Sequence, residues 1–270
     1  MKFRNLVMIS RCMKVLLVLV SFSVLISLYV LSDKPWFTSL ATPNQIEAEL
    51  KRDPKSVDVM DTAPNEGLTG LMYAAKFGNL DRAKLFVQYG ASLNIQAKNE
   101  NQKGSNGEKG NEREYHDSAL QFAILNGNDA GSFAIAKLLI EKGADVMVRN
   151  GMGYTCLHIL YNIANDLPKR MELMKLLMAK VGNELAQIAY LNTQNNEGNT
   201  IIHIGAQVNE LDWIDLLDKT YGKMIKYDIR NNDKKDNRWP KGQLPEDLAI
   251  ACGNDNMSYK LKALREKYAH

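Results

Sequence analysis

Residues 153–160 read GYTCLHIL, which sets Cys156 two positions before His158. A thiolate is a strong nucleophile and an imidazole can deprotonate it, so the pair has the composition of a covalent catalyst. The same groups are metal ligands, and a zinc ion takes about four of them. The chain offers four histidines, His116, His158, His203 and His270, and three cysteines, Cys12, Cys156 and Cys252. Forty-five residues on, the frame returns as Thr200-Ile201-Ile202-His203, with the histidine kept and the cysteine replaced by isoleucine. A nucleophile and its base would not recur as half a pair. The expectation is therefore no catalytic residue, no metal and no cofactor, with a Cys-His enzyme left only as a residual alternative.

The frame belongs to a longer unit. Residues 65–94 run NEGLTGLMYAAKFGNLDRAKLFVQYGASLN, two short amphipathic stretches separated by a Gly-Asn turn. Residues 118–145 repeat the design with SALQFAILNGN and IAKLLIEKGAD. GYTCLHIL is followed by MELMKLLMAK, GNTIIHIGA by LDWIDLLDK, and GQLPEDLAIACGN stands at 242–254. Stretches this short are unstable alone in water, so neighbouring units must bury one another's apolar faces. Thr69, Ser118, Thr155 and Thr200 stand where a helix N-cap is wanted. Gly90 and Gly143 stand where a left-handed C-cap is wanted.

The unit resembles the ankyrin repeat, whose pattern is matched by Gly67, Thr69, Leu71, Ala74, Ala75, Gly78, Asn79, Gly90, Ala91 and Asn94. Gly70 and Met72 depart from the pattern's Pro and His. The resemblance implies an all-α fold, an ankyrin-repeat solenoid of stacked helix pairs with turn or hairpin connections. It covers residues 44–270 as an N-terminal cap at 44–64 and repeats at about 65–97, 115–149, 150–191, 195–227 and 239–270. The helix-opening residues are 49, 37 and 45 apart. Against a period of about 33, the excesses are about 16, 4 and 12 residues. The largest is an inserted polar loop at 96–115, and Trp239 interrupts a charged connection at 228–241. By resemblance, Thr155, His158, Thr200 and His203 join a network that ties each helix start to neighbouring turns. Cys156 and Cys252 fall two units apart. That is beyond the roughly 7 Å reach of a disulfide, so both are expected as free thiols.

Ankyrin arrays bind proteins through turn tips and the outer surface of the first helices. Carried over by position, the candidate contacts are Glu66, Leu68, Lys76 and Phe77 in the first unit and Asn126 in the second. Met152, Tyr154, Asn162 and Ile163 follow in the third, then Glu197, Asn199, Gln207 and Val208 in the fourth. Phe77, Met152 and Tyr154 are either contact anchors or packing against a neighbouring turn, and Trp239 is either a plug or a contact. Trp213 has the position of a second-helix core residue.

Lys2, Arg4, Arg11 and Lys14 form a basic tail over 1–14. Without them the chain holds 30 basic against 31 acidic side chains, which leaves no field to attract nucleic acid. Residues 15–31 carry no charge. As a helix they would span roughly 25 Å, so they are expected as a single transmembrane helix preceding the array, followed by a linker at 32–43. The run is longer than a usual signal core, which favours an uncleaved signal anchor over a cleaved signal peptide. Positive charge before the span orients the N-terminus to the cytoplasm and the repeats to the periplasm or exterior. The expected protein is a single-pass inner-membrane protein whose repeats bind another protein, as an adaptor or as an immunity-type inhibitor of a toxin or enzyme. The alternative is a secreted or host-directed effector with a cleaved signal.

Overall fold

Thr42 caps helix α1 (Pro43–Arg52). Its hydroxyl accepts the Gln45 N–H at 3.3 Å while Gln45 Oε1 accepts the Thr42 N–H at 2.8 Å, so two orphan donors are satisfied reciprocally. The computed structural model describes residues 41–61, 67–98, 116–163, 166–231 and 242–269. Glu66, Trp239, most of the 96–115 insertion, the basic tail, the 15–31 segment and most of the linker lie outside the described residues. Among the described residues there are no strands, only two isolated bridges, Met60 with Thr69 and Gln96 with Ser118. No helix among them is long and apolar enough to cross a membrane.

Helix pairs follow α1: α2 (Gly70–Lys76) with α3 (Leu80–Gln88), and α4 (Ala119–Leu125) with α5 (Ala130–Glu141). Next come α6 (Cys156–Ile159) with α7 (Leu167–Lys180), then an additional helix α8 (Glu184–Leu191). The series ends with α9 (Ile201–Val208) and α10 (Leu211–Tyr221), then α11 (Pro245–Ala251) and α12 (Asp255–Lys267). The first helices pack in a row, α2 on α4, α4 on α6, α6 on α9 and α9 on α11. The second helices form a parallel row from α1 through α3 and α5 to α7. One continuous apolar core runs between the rows, from Ile46 and Leu50 through Phe86, Leu139, Leu177 and Trp213 to Leu261. Gly90 and Gly143 sit at φ +83° and +92°, a conformation glycine takes without strain.

The third unit departs most from its neighbours. Its first helix is only one turn, continued as a 3-10 turn over Leu160–Asn162. The cause is Arg170, 1% exposed, whose Nε and Nη2 donate to Ile163 O at 3.1 and 2.6 Å, with Nη2 also 3.3 Å from Tyr161 O. The guanidinium pairs with Glu210 of the next unit and lies 4.9 Å from the Trp213 ring centroid. A buried cation therefore closes the orphan carbonyls of a shortened helix. The extra residues between Thr155 and Thr200 form α8, which is anchored where the buried Tyr190 hydroxyl donates to Val146 O at 2.8 Å.

Replacing Arg170 by methionine keeps the stem and strands those carbonyls. Arg170→Met is expected to lower unfolding free energy by at least about 2 kcal/mol, read as a shifted urea midpoint. An unchanged midpoint would mean that packing, not carbonyl capping, fixes the third unit.

Candidate protein-interaction face

Each first helix is opened by the same side-chain device in different chemistry. In the second unit, Gln121 Oε1 accepts the Ser118 N–H at 2.9 Å, and its amide N–H donates forward to Tyr154 O at 2.9 Å. In the third, His158 Nδ1 accepts from the Thr155 N–H and hydroxyl at 3.2 and 2.9 Å. Its Nε2 donates to Asn199 O at 3.1 Å. In the fourth, His203 does the same with Thr200 and with Gln243 O at 3.3 Å. Both rings are therefore neutral Nε2–H tautomers, and burial holds their pKa down at about 4. Cys156 is fully buried, burial pushes its thiol well above the ordinary range, and both His158 nitrogens are committed elsewhere. The pair has no means of forming a thiolate nucleophile. Among the described residues no group of three or more His, Cys, Asp or Glu is placed to hold a metal.

The turn tips carry a second device. Asn150, Asn195 and Asn231 each donate their N–H to the carbonyl of the residue before the next helix cap, Tyr154, Asn199 and Gln243. Each also accepts that residue's N–H on its side-chain oxygen, at 2.9 Å. The spare amide N–H then reaches the preceding unit: Asn150 donates to Asp117 at 2.9 Å, and Asn231 to Asn199 at 3.3 Å. In the third unit the corresponding position holds Tyr154, and Asn195 Nδ2 is buried without a partner. Tyr154 is half-buried and stacks on His158, with ring centroids 5.6 Å apart.

These ladders correct part of the expected contact face. Leu68, 1% exposed, and Asn199, 3% exposed, are not surface contacts. The residue before each cap turns back against the adjoining unit: Leu68 bonds Asp61, and Asn199 accepts from Asn231. Ile163, 0% exposed, is also inside, because the 3-10 turn rotates it into the space above Gly127. Met152, Asn162, Glu197 and Gln207 are half-buried along the tips and first helices, and Val208 is exposed.

The open part of the face lies at the ends of α2 and α4. Phe77 is 62% exposed and stacks on Tyr73, with centroids 6.1 Å apart. Beside it is a groove of about 340 Å³ lined by Lys76, Phe77, Leu125, Asn126, Asn128, Asp129 and Ser132. Lys76 holds its ammonium 5.9 Å from the Phe122 ring centroid. Of this lining, Lys76, Phe77 and Asn126 were expected from their repeat positions, and Leu125, Asn128, Asp129 and Ser132 were not. Leu125 occupies the Lys76 position of the repeat frame, so aligning the units would have found it.

A row of short helices with an open aromatic end defines a helical-repeat scaffold. Residues 44–150 match the family model for ankyrin repeats, in three copies. No curated protein matches the chain. Among solved structures, a chain is similar in the complex of the predatory endopeptidase Bd0816 from Bdellovibrio bacteriovorus with the immunity protein Bd3460. The TM-score is 0.57 at 22% identity, over 82% of this chain and 91% of that one. At that identity the likeness is one of fold.

The two neutral histidines make stability pH-dependent. Their folded pKa lies below the unfolded value of 6.5, so their contribution is complete above pH 6.5 and is lost as pH falls toward 4. The loss is about 3 kcal/mol per ring. Replacing both by glutamine, the residue the second unit already uses, is expected to leave stability at pH 7.5 within about 1 kcal/mol. It should flatten the acid limb of a denaturation series, and a double variant as acid-labile as the parent would refute the assignment. Asp117 has the opposite sign, because burial pushes its carboxyl up to about 6. Asp117→Asn keeps the acceptor for Asn150, as Asn199 does for Asn231. It is expected to gain about 1–3 kcal/mol above pH 6, with the gain fading toward pH 3.8 in the same series.

Proposed function

We propose that the protein is a membrane-tethered binding protein whose first-helix face holds another protein, in the manner of an immunity protein restraining an enzyme. The observation that carries this reading is Phe77, a large aromatic side chain left open at the mouth of a groove. Such groups act as interface anchors, and an exposed apolar patch on a repeat surface marks an interaction site. The partner class is suggested by the similar chain, which comes from a complex of an endopeptidase with an immunity protein. Residues 15–31 serve as the signal anchor, the N-terminus stays in the cytoplasm, and the array faces the periplasm or exterior, where such an enzyme would be met.

The test is affinity capture with the full chain from membranes, followed by assay of the captured enzyme with and without the purified chain. One dominant protein should be recovered in a one-to-one complex and inhibited. Phe77→Asp should lower recovery at least about tenfold without altering the unfolding midpoint. Recovery that is unaffected by Phe77→Asp would sink the assignment of this face. Intact mass from membranes should show residues 1–31 retained, and protease added to spheroplasts should cut the repeats. Loss of residues 1–31 would favour the secreted alternative.

A further inference from the structure

The glycines at the ends of the second helices are there for two different reasons. Gly90, Gly143 and Gly182 sit at φ +83°, +92° and +90°, and a β-carbon on any of them would meet nothing within 4 Å. Their backbone conformation alone asks for glycine. Gly222, which ends α10, sits at φ −52° and ψ −38°, an ordinary helical conformation that any residue adopts. A β-carbon there would instead collide with Tyr268 Oη and Asp218 Oδ1. Gly222 is therefore kept small by a side chain of the last unit.

That side chain belongs to a cluster at the end of α12. The Tyr268 hydroxyl donates to Asp218 Oδ1 at 2.8 Å, and Lys267 Nζ lies 3.1 Å from Asp218 Oδ2. The same ammonium stands 4.7 Å from the Tyr268 ring centroid, so the two neighbours also hold one another. The Tyr268 ring stacks on Tyr227, with centroids 5.7 Å apart and planes 11° from parallel. Tyr227 is 3% exposed, and its hydroxyl is buried without a hydrogen-bond partner. The closed arrangement thus carries a standing cost, which access of water to Tyr227 would remove. Within the last unit, α11 packs on α12 and Arg265 pairs with Glu246. Its polar links to α10 include side chains that water reaches, Lys267 at 54% exposed and Asp215, the partner of Lys260, at 56%. Pairs this exposed are individually weak.

We propose that Lys267 and Tyr268 form a strap that locks the last unit onto the fourth, and that α11 and α12 open together as one element when the strap leaves Asp218 and Gly222. A unit with one described neighbour is the natural place for such partial opening. The strap is independent of what the array binds, because none of its residues lies on the first-helix face.

The experiment is native-state hydrogen exchange of the full chain in detergent micelles, read by mass spectrometry helix by helix. Tyr268→Phe keeps the ring and removes the bond to Asp218. It should speed exchange of α11 and α12 at least about fivefold and leave α2 to α5 within about twofold. Gly222→Ala gives the sharper sign. At a helical glycine with free space around it, alanine stabilises and slows exchange. With the strap seated, the same change should speed α11 and α12 at least about tenfold. In a Tyr268→Ala background the collision with Oη is gone, and Gly222→Ala should no longer speed exchange. Slower exchange in Gly222→Ala alone, equal speeding in both backgrounds, or no change in α11 and α12 with either single variant would overturn the strap. Equal speeding of every helix would overturn the separate opening, because the array would then open only as a whole.

Discussion

The array depends on one side-chain bridge, in which the third residue of a first helix caps its own helix and donates forward to the next unit's turn. Gln121 reaches Tyr154 O, His158 reaches Asn199 O and His203 reaches Gln243 O. Helices of seven or eight residues cannot hold themselves together, so the bridge converts local order in one unit into a fixed address for the next. The carbonyls it reaches also accept the N–H of the tip residues Asn150, Asn195 and Asn231. Helix starts and turn tips therefore share acceptors, and displacing one disturbs both. This is nearest-neighbour coupling in its physical form.

Where the bridge changes chemistry, the structure changes with it. Met72 stands in the first unit and has only a thioether to offer, so the first tip is tied instead by Asp61. Its carboxylate accepts the Leu68 N–H and the Tyr73 hydroxyl, the latter at 2.6 Å. In the last described unit Asp247 accepts the Leu244 N–H at 3.0 Å and has no donor to send onward. An acceptor-only side chain caps its own helix without reaching another turn. The histidines stand between, in interior units, where a ring with one acceptor and one donor satisfies both directions at once.

Much of this was legible in the residues, because the repeat frame is dense and its helix-opening positions need few residue types. The positive φ of Gly90 and Gly143, the placing of Thr69, Ser118, Thr155 and Thr200 at helix N-caps and the burial of Trp213 follow from positions in that frame. Only the Thr69 and Ser118 side chains accept a backbone N–H there. The third unit was legible only as a length excess. Its shortened helix depends on Arg170 finding Ile163 O and Glu210, contacts seven and forty residues away, and no period announces them. The same limit explains Leu68, Asn199 and Ile163. Frame position says that a residue lies near a turn, but its direction is set by ladder bonds from the adjoining unit. Glu66, Trp239 and the membrane-segment assignment fall on residues the structure does not describe.

The starts and the ends of the first helices do different work. The bridges occupy helix starts, where every side chain is buried and committed, so substitution there alters folding. The Phe77, Asn126 and Val208 side chains sit at helix ends, away from the bridges to the next unit. The cost of departing from the ladder is visible where Tyr154 replaces an acceptor and leaves Asn195 Nδ2 unpaired, a penalty of about 1–3 kcal/mol. No comparable orphan accompanies Phe77, whose ring stacks on Tyr73 and leaves the bonds of α2 intact. A scaffold built this way can change the side chains at its helix ends while the helix starts keep the units in register.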